Sequence, residues 1–286
     1  MSLNHDIVGV LSEPVEKSWT STDALLYALG VGAGHDNPLE DLAYTTEHGE
    51  PGGDGQKVLP SYGVMLTWGA RGRKLGDFDP AMLVHAEQQL ELHRPLPPSG
   101  TVSITSMVTG IEDKRSGALV RSQAEAVLAD TGEPLVTARS GVFIRGEGGF
   151  GGTAAEPGLA PVPDREPDQV VATGSWPGQA LLYRLSGDRN PLHSDPSFAA
   201  RGGFERPILH GLATYGITAR VLVSAVAKGD GDAMRSMAGR FSAPVLPGDD
   251  LSVELWDVDT GDVAFRVRRA DGTVVIDRGR ARFALD

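Results

Sequence analysis

Cysteine is absent from the 286-residue chain, which removes disulfides, thiolate nucleophiles, thiolate-ligated zinc and cysteine-ligated iron–sulfur clusters together. Positive charge is scarce: 26 Lys and Arg stand against 38 Asp and Glu, a net charge of −12. That balance argues against nucleic acid or an anionic membrane as partner, although a local basic pocket can still hold an anionic group. Long apolar runs are missing as well. The longest candidate, residues 216–227, contains Arg220 and falls short of the roughly 20 apolar residues that a membrane span needs. The first twenty residues are polar and acidic, without the apolar stretch of a signal peptide, so the expected compartment is the cytoplasm.

What is present is the composition of an ordinary globular protein, with 40% apolar and 22% charged residues. A chain of this length suits two domains of usual size. Between Gly146 and Asp168 the composition shifts to GEGGFGGTAAEPGLAPVPDREPD, rich in Gly, Pro, Ala and acidic residues and without a hydrophobic period. Residues 146–168 therefore read as a flexible, partly extended linker between domains at 1–145 and 169–286.

The two halves resemble each other. Tyr27-Ala28-Leu29-Gly30 matches Tyr183-Arg184-Leu185-Ser186, and Pro60-Ser61-Tyr62-Gly63-Val64 parallels Pro207-Ile208-Leu209-His210-Gly211. Pro95 to Gly100 parallels Pro244 to Gly248, and Ala129-Asp130-Thr131-Gly132 parallels Ala270-Asp271-Gly272-Thr273. The matches keep their order, which points to a duplicated fold. Each half reads as one long helix followed by strands. In the second, Leu212, Tyr215, Ala219, Leu222 and Val226 recur at helical spacing. Strands are expected at 238–244, 250–259, 262–270 and 274–285, with turns at Thr260-Gly261 and Asp271-Gly272. Consecutive hairpins make an antiparallel sheet, and the apolar helix must bury its faces against it. The expected class is α+β: a double hot-dog, in which two sheets, each wrapped on a central helix, join edge to edge and cover an exposed strand.

The chemistry concentrates in residues 183–199, YRLSGDRNPLHSDPSFA. Asp188, Asn190 and His193 fall around a turn that Gly187 and Pro191 enforce. A carboxylate and an imidazole held this close can share one water molecule, the minimum for adding or removing water by general acid–base chemistry. The plainer readings are a turn whose Asp and Asn side chains bond backbone amides, and a buried imidazole bonded to a carbonyl. Asp188, Asn190, His193 and Asp195 are also potential metal ligands. The second half has only one further histidine and no familiar ligand spacing, so no metal is expected. Asp195 reads as the cap of a short helix at 196–200, not as a catalytic acid.

Tyr183, Leu185, Ser186, Gly187, Asp188, Asn190, Pro191, Leu192, His193 and Ala199 fill every defined position of the signature of type 2 enoyl-CoA hydratases. The chain resembles this MaoC-like dehydratase family, in its two-domain form, along essentially its whole length. Pro207 to Leu212, Arg240 to Pro244, Val58 to Gly63 and Val84 to Gln88 carry the rest of the likeness. The resemblance implies reversible syn hydration of a trans-2-enoyl-CoA to a (3R)-3-hydroxyacyl-CoA, in fatty-acyl or sterol side-chain β-oxidation. It implies Asp188 and His193 as the proton-moving pair and the Gly211 N–H as donor to the thioester enolate. Asn190, His85, Gly32 and Arg240 become the candidate substrate-binding residues. No cofactor is implied, since CoA is part of the substrate, and a homodimer is expected. Rival readings are a dehydratase of acyl-carrier-protein substrates, a hot-dog thioesterase and a noncatalytic acyl-CoA-binding subunit.

The first half lacks the acidic turn: aligning Tyr27 with Tyr183 sets Gly32 opposite Asp188. Gly30-Val31-Gly32-Ala33-Gly34 follows a helical stretch and has no Lys-Ser/Thr or acidic ribose partner, so it is not read as a nucleotide loop. Its glycines are expected to make room for the acyl tail.

Overall fold

Segments that alternate apolar and polar residues form strands, each presenting one face to the core. The computed structural model describes residues 3–49, 55–68, 74–152 and 158–285. The first half contributes β1 (Val15–Trp19), β2 (Leu83–Leu92), β3 (Gly100–Asp113), β4 (Gly117–Leu128) and β5 (Pro134–Arg145). The second contributes β6 (Gln169–Gly174), β7 (Met234–Phe241), β8 (Asp250–Asp259), β9 (Asp262–Arg269) and β10 (Val274–Phe283). All lie in one ten-stranded sheet of order β1-β3-β4-β5-β2-β7-β10-β9-β8-β6. Each half thus follows the same order (first, third, fourth, fifth, second), and the halves meet where β2 pairs antiparallel with β7. Gln88 stands opposite Gly239 and Leu90 opposite Met237 at that joint. The α+β double hot-dog is the architecture.

Six helices accompany the sheet among the described residues: α1 (Ser21–Gly30), α2 (Leu42–Thr45), α3 (Gly63–Thr67), α4 (Gln179–Tyr183), α5 (Pro196–Arg201) and α6 (Gly211–Ala227). None is long and apolar enough to cross a membrane. α6 is the central helix of the second half. Leu212, Tyr215, Ala219 and Leu222 are buried on it, in one core with Val253, Phe265, Val267 and Ile276 of the sheet. Full burial of such a side chain stabilises by about 1.5–3 kcal/mol, so this contact holds the half together. The helix stops where Lys228 turns left-handed at φ 52°, and Gly229 donates back to the Val223 carbonyl.

The first half departs from expectation. Its counterpart of α6, the helix α3, has only five residues, and Trp68 beyond it is extended. The following Gly69-Ala70-Arg71-Gly72-Arg73 offers no apolar period and lies outside the described residues. The linker differs too. Residues 153–157 lie outside the described residues, but its later part is fastened to the second half. Arg278 donates to the Leu159 carbonyl at 2.9 Å, and the Trp256 indole to that of Arg165 at 2.8 Å.

Candidate active site

The α4 helix ends at Tyr183, and a 3-10 turn over Arg184–Ser186 delivers the chain to Gly187, whose φ of 131° suits only glycine well. Asp188 then accepts the N–H of Asn190 at 3.2 Å, and Asn190 that of Leu192 at 3.0 Å. Both side chains brace the turn, as Asx residues do. A second 3-10 turn, Pro191–His193, brings His193 inward, where it is buried. Asp195 caps α5 by accepting the N–H of Ser197 at 2.8 Å and that of Phe198 at 3.4 Å.

Two reciprocal hydrogen bonds join this turn to the segment that enters α6. His193 Nδ1 lies 2.9 Å from the Ile208 carbonyl, and His210 Nε2 lies 3.0 Å from the Asp188 carbonyl. A carbonyl only accepts, so each contact fixes a tautomer: His193 keeps an unprotonated Nε2, and His210 an unprotonated Nδ1. The two rings stack with centroids 3.7 Å apart, and the His210 Nδ1 is buried without a partner. Burial pulls His193 below the ordinary histidine pKa, against the opposing pull of the Ile208 hydrogen bond and the Asp188 charge. Burial, then the neighbouring His193, pushes His210 down to about 2. Both imidazoles are therefore neutral at physiological pH.

An Asp188 carboxylate oxygen and one ring nitrogen from each histidine lie within 4.8 Å of one another. One water making two hydrogen bonds of about 2.8 Å can bridge such a gap. A metal fits less well. An ion would have to lie in the planes of two rings that are stacked with only 28° between them, and only three ligand groups converge.

Gly211 opens α6, so its N–H has no acceptor within the helix and sits at the positive end of the helix dipole. A Cβ there would lie 3.4 Å from the Phe241 ring. Phe241 in turn packs on His85, with centroids 5.0 Å apart, so the site continues across the β2–β7 joint into the first half. His85 bonds the Glu87 carbonyl at 3.0 Å, and burial holds its pKa down at about 4.

One cavity of about 1410 Å³ runs through all of this. Asp188, Asn190, His193, Gly211, Phe241 and His85 line one part of it. The rest reaches over the concave face of β3, β4 and β5 to Ile7, Val10 and Leu11, which the sequence reading left without a role. Ser12 and Gly9 fasten that N-terminal segment to β3 through the Ser106 and Val108 carbonyls.

Two expected binding residues lie elsewhere. Gly32 does not line the cavity. It closes α1 in a left-handed turn at φ 84°, and a Cβ there would face the side chains of Gln179 and Arg220. Gly30 backs onto Tyr183 and Gly34 onto Thr45, so these glycines do not provide the room for a tail. Arg240 is exposed on the outer face of β7. Its neighbours Gly239 and Phe241 face inward, and period-two alternation sends Arg240 the other way. His210, which carried no assigned role in the sequence, proves to be the residue that ties the Asp188 turn to the start of α6. Its signal was its place directly before Gly211, one residue from the expected oxyanion donor.

Residues 18–146 match the MFE-2 hydratase 2 N-terminal domain family, and residues 159–278 match the MaoC-like domain family. The chain is 42% identical over 294 residues to 3-hydroxyacyl-thioester dehydratase Y of Mycobacterium tuberculosis, covering 99% of each. It is 43% identical to enoyl-CoA hydratase ChsH3 of the same organism, covering 90% of each. Among solved structures it superposes on a MaoC-like dehydratase from Phytophthora capsici with a TM-score of 0.86, 32% identity and 99% coverage of both chains.

Proposed function

The chain belongs to the MaoC-like dehydratase family and is a hydro-lyase acting on enoyl-CoA, and from that premise we propose that Asp188 and His193 activate the water it adds. The observation that carries this reading is the fixed tautomer of His193. With Nδ1–H spent on the Ile208 carbonyl, Nε2 is the ring atom able to take a proton. An Asp188 carboxylate oxygen lies within 4.8 Å of a His193 ring nitrogen, a spacing that lets the two groups share one water. As the water oxygen bonds to C3, one of its O–H bonds breaks and the C2=C3 π bond is consumed. A proton returns from the pair to C2. Delivery from one water on one face makes the addition syn and the product a single enantiomer, the (3R) one by likeness to the type 2 hydratases.

Charge gathers on the thioester oxygen as the enolate forms. The Gly211 N–H stands at a free helix start beside this site, and the loss of such a donor costs on the order of 10²–10³ in rate. Asn190 supports the geometry indirectly, through the turn that presents Asp188 and His193. The first half takes the acyl group, because most of the cavity beyond His85 lies on its sheet.

The test is an assay of a trans-2-enoyl-CoA followed by absorbance and by free thiol. Loss of enoyl absorbance without thiol release, giving the (3R) product, is expected. Thiol release would make the chain a thioesterase, and saturable binding without either change would make it a binding subunit.

A further inference from the structure

Corresponding positions of the two halves can be read off the sheet by laying the β4–β5 turn at Asp130 on the β9–β10 turn at Asp271. Ser122 and Ser140 then fall on Val263 and Ala281, and the strand pairings carry the match to the neighbours. In the first half the cross-strand row runs Val108–Ser122–Ser140–Gln88. In the second it runs Asp257–Val263–Ala281–Met237. Val263, Ala281 and Met237 are buried and apolar beneath α6, the fate expected of inward positions in this fold. Their counterparts in the first half are two serines and a glutamine.

The adjoining row shows what these polar residues face. Ser106, Ala124 and Ala138 stand where the second half has Leu255, Phe265 and Gly279. The Phe265 ring lies over Gly279 and fills the second half, since a Cβ on Gly279 would come within 2.4 Å of it. Ala124 presents only a methyl there, and among the described residues α3 covers the sheet for only five residues. All of these first-half positions line the cavity instead. Gln88 is 2% exposed, and its amide is held within the protein, Nε2 donating to the Gln89 carbonyl at 2.8 Å, so the polar group nearest the serines is fixed in place. The Ser122 and Ser140 hydroxyls lie 2.9 Å apart, which uses one donor between them and leaves the other hydroxyl hydrogen and further lone pairs available.

We propose that the acyl group taken by this site is bulky and carries an oxygen, as hydroxyl or carbonyl, that hydrogen-bonds to the Ser122–Ser140 pair beside Gln88. The inference rests on the hydratase reading and narrows its substrate class. A plain hydrocarbon tail would gain its room from alanines alone. Hydroxyls and an amide at three inward positions, where the duplicate half keeps Val, Ala and Met, match an oxygen within an otherwise apolar ligand.

The experiment uses matched trans-2-enoyl-CoAs with a ring-bearing tail, with and without a hydroxyl or a ketone at successive positions. At one position kcat/KM for the oxygenated compound should exceed that for its plain partner by about tenfold, the worth of one or two net hydrogen bonds. The hydroxyl and ketone arms tell the two oxygen types apart. Ser122→Val combined with Ser140→Ala, which installs the residues of the second half, should bring that ratio to about one. If this double variant does not fold, Ser122→Ala, which adds no bulk, carries the same comparison. A ratio near one on every pair for the unaltered protein, or a ratio that survives the substitutions, would overturn the proposal. Calorimetric binding of the corresponding saturated acyl-CoAs reads the same ratio without turnover. Oxygen-dependent binding without hydration would sink the hydratase reading and keep the recognition, whereas hydration without oxygen dependence would do the reverse.

Discussion

At the scale of single residues, the two histidines of the second half divide one task. In the proposed mechanism His193 takes the proton on its free Nε2, while His210 donates to the Asp188 backbone and stacks on the His193 ring. His210 is a positioning residue by this geometry: burial keeps its ring neutral, and its one N–H is committed to the Asp188 carbonyl. His210→Phe keeps an aromatic ring in the stack and removes the donor. It should lower kcat by about tenfold, the order of one hydrogen bond, with KM changed by less than about twofold. Steady-state kinetics beside a melting curve checks this, and an unchanged kcat would mean that the bond to Asp188 does not position the carboxylate. The acid, the imidazole and the cap at Asp195 were legible because they are local, each set by neighbours within a few residues. The His210 contact spans 22 residues, and no periodicity announces it. Arg240 misled for a different reason: a cation was named for substrate binding, but strand parity turns it outward.

At the scale of elements, hairpins were the most readable feature. Turns at Thr260-Gly261 and Asp271-Gly272 fixed β8, β9 and β10 to within a residue or two, because alternation and glycine turns are encoded locally. β7 begins at Met234, four residues before its expected start, because it follows a 3-10 turn at Gly231–Ala233 and not a hairpin. The central helix of the second half announced itself through its apolar spacing. That of the first half did not form as expected, since the apolar stretch after Gly63 ends at Trp68. The glycines at 30, 32 and 34 carried the wrong explanation of the space in that half. The room comes from Ser106, Ala124 and Ala138 on the strands, and their meaning emerges only when the strand register pairs them with Leu255, Phe265 and Gly279.

At the scale of the whole molecule, duplication supplies two copies of one scaffold and allows them different interiors. One copy is packed solid around α6 and holds the Asp188–His193 turn, while the other keeps the larger share of the cavity. This arrangement buries histidines in their neutral form. His85 is held at about 4 and His210 at about 2, and burial pulls His193 in the same direction. Unfolded histidines titrate near 6.5, so below that pH the unfolded chain binds protons that the folded chain refuses. Stability present above pH 6.5 is therefore lost as the pH falls toward the folded values. Carboxylates held low, such as Glu112, begin to matter only near their ordinary value of 4.5 and below. The melting temperature should thus fall between about pH 6.5 and 5 on account of the histidines. A flat profile across that window would mean that they are protonated in the folded chain.

The central claim is that Asp188 and His193 act together on one water, and the most direct measurement is the kcat for hydration of a short trans-2-enoyl-CoA by Asp188→Asn and His193→Gln. Each substitution nearly preserves shape, and each should lower kcat by about a thousandfold, within the range of positioned acid–base catalysis. A turnover within about tenfold of the unaltered protein in either variant, with the fold intact, would contradict the assignment.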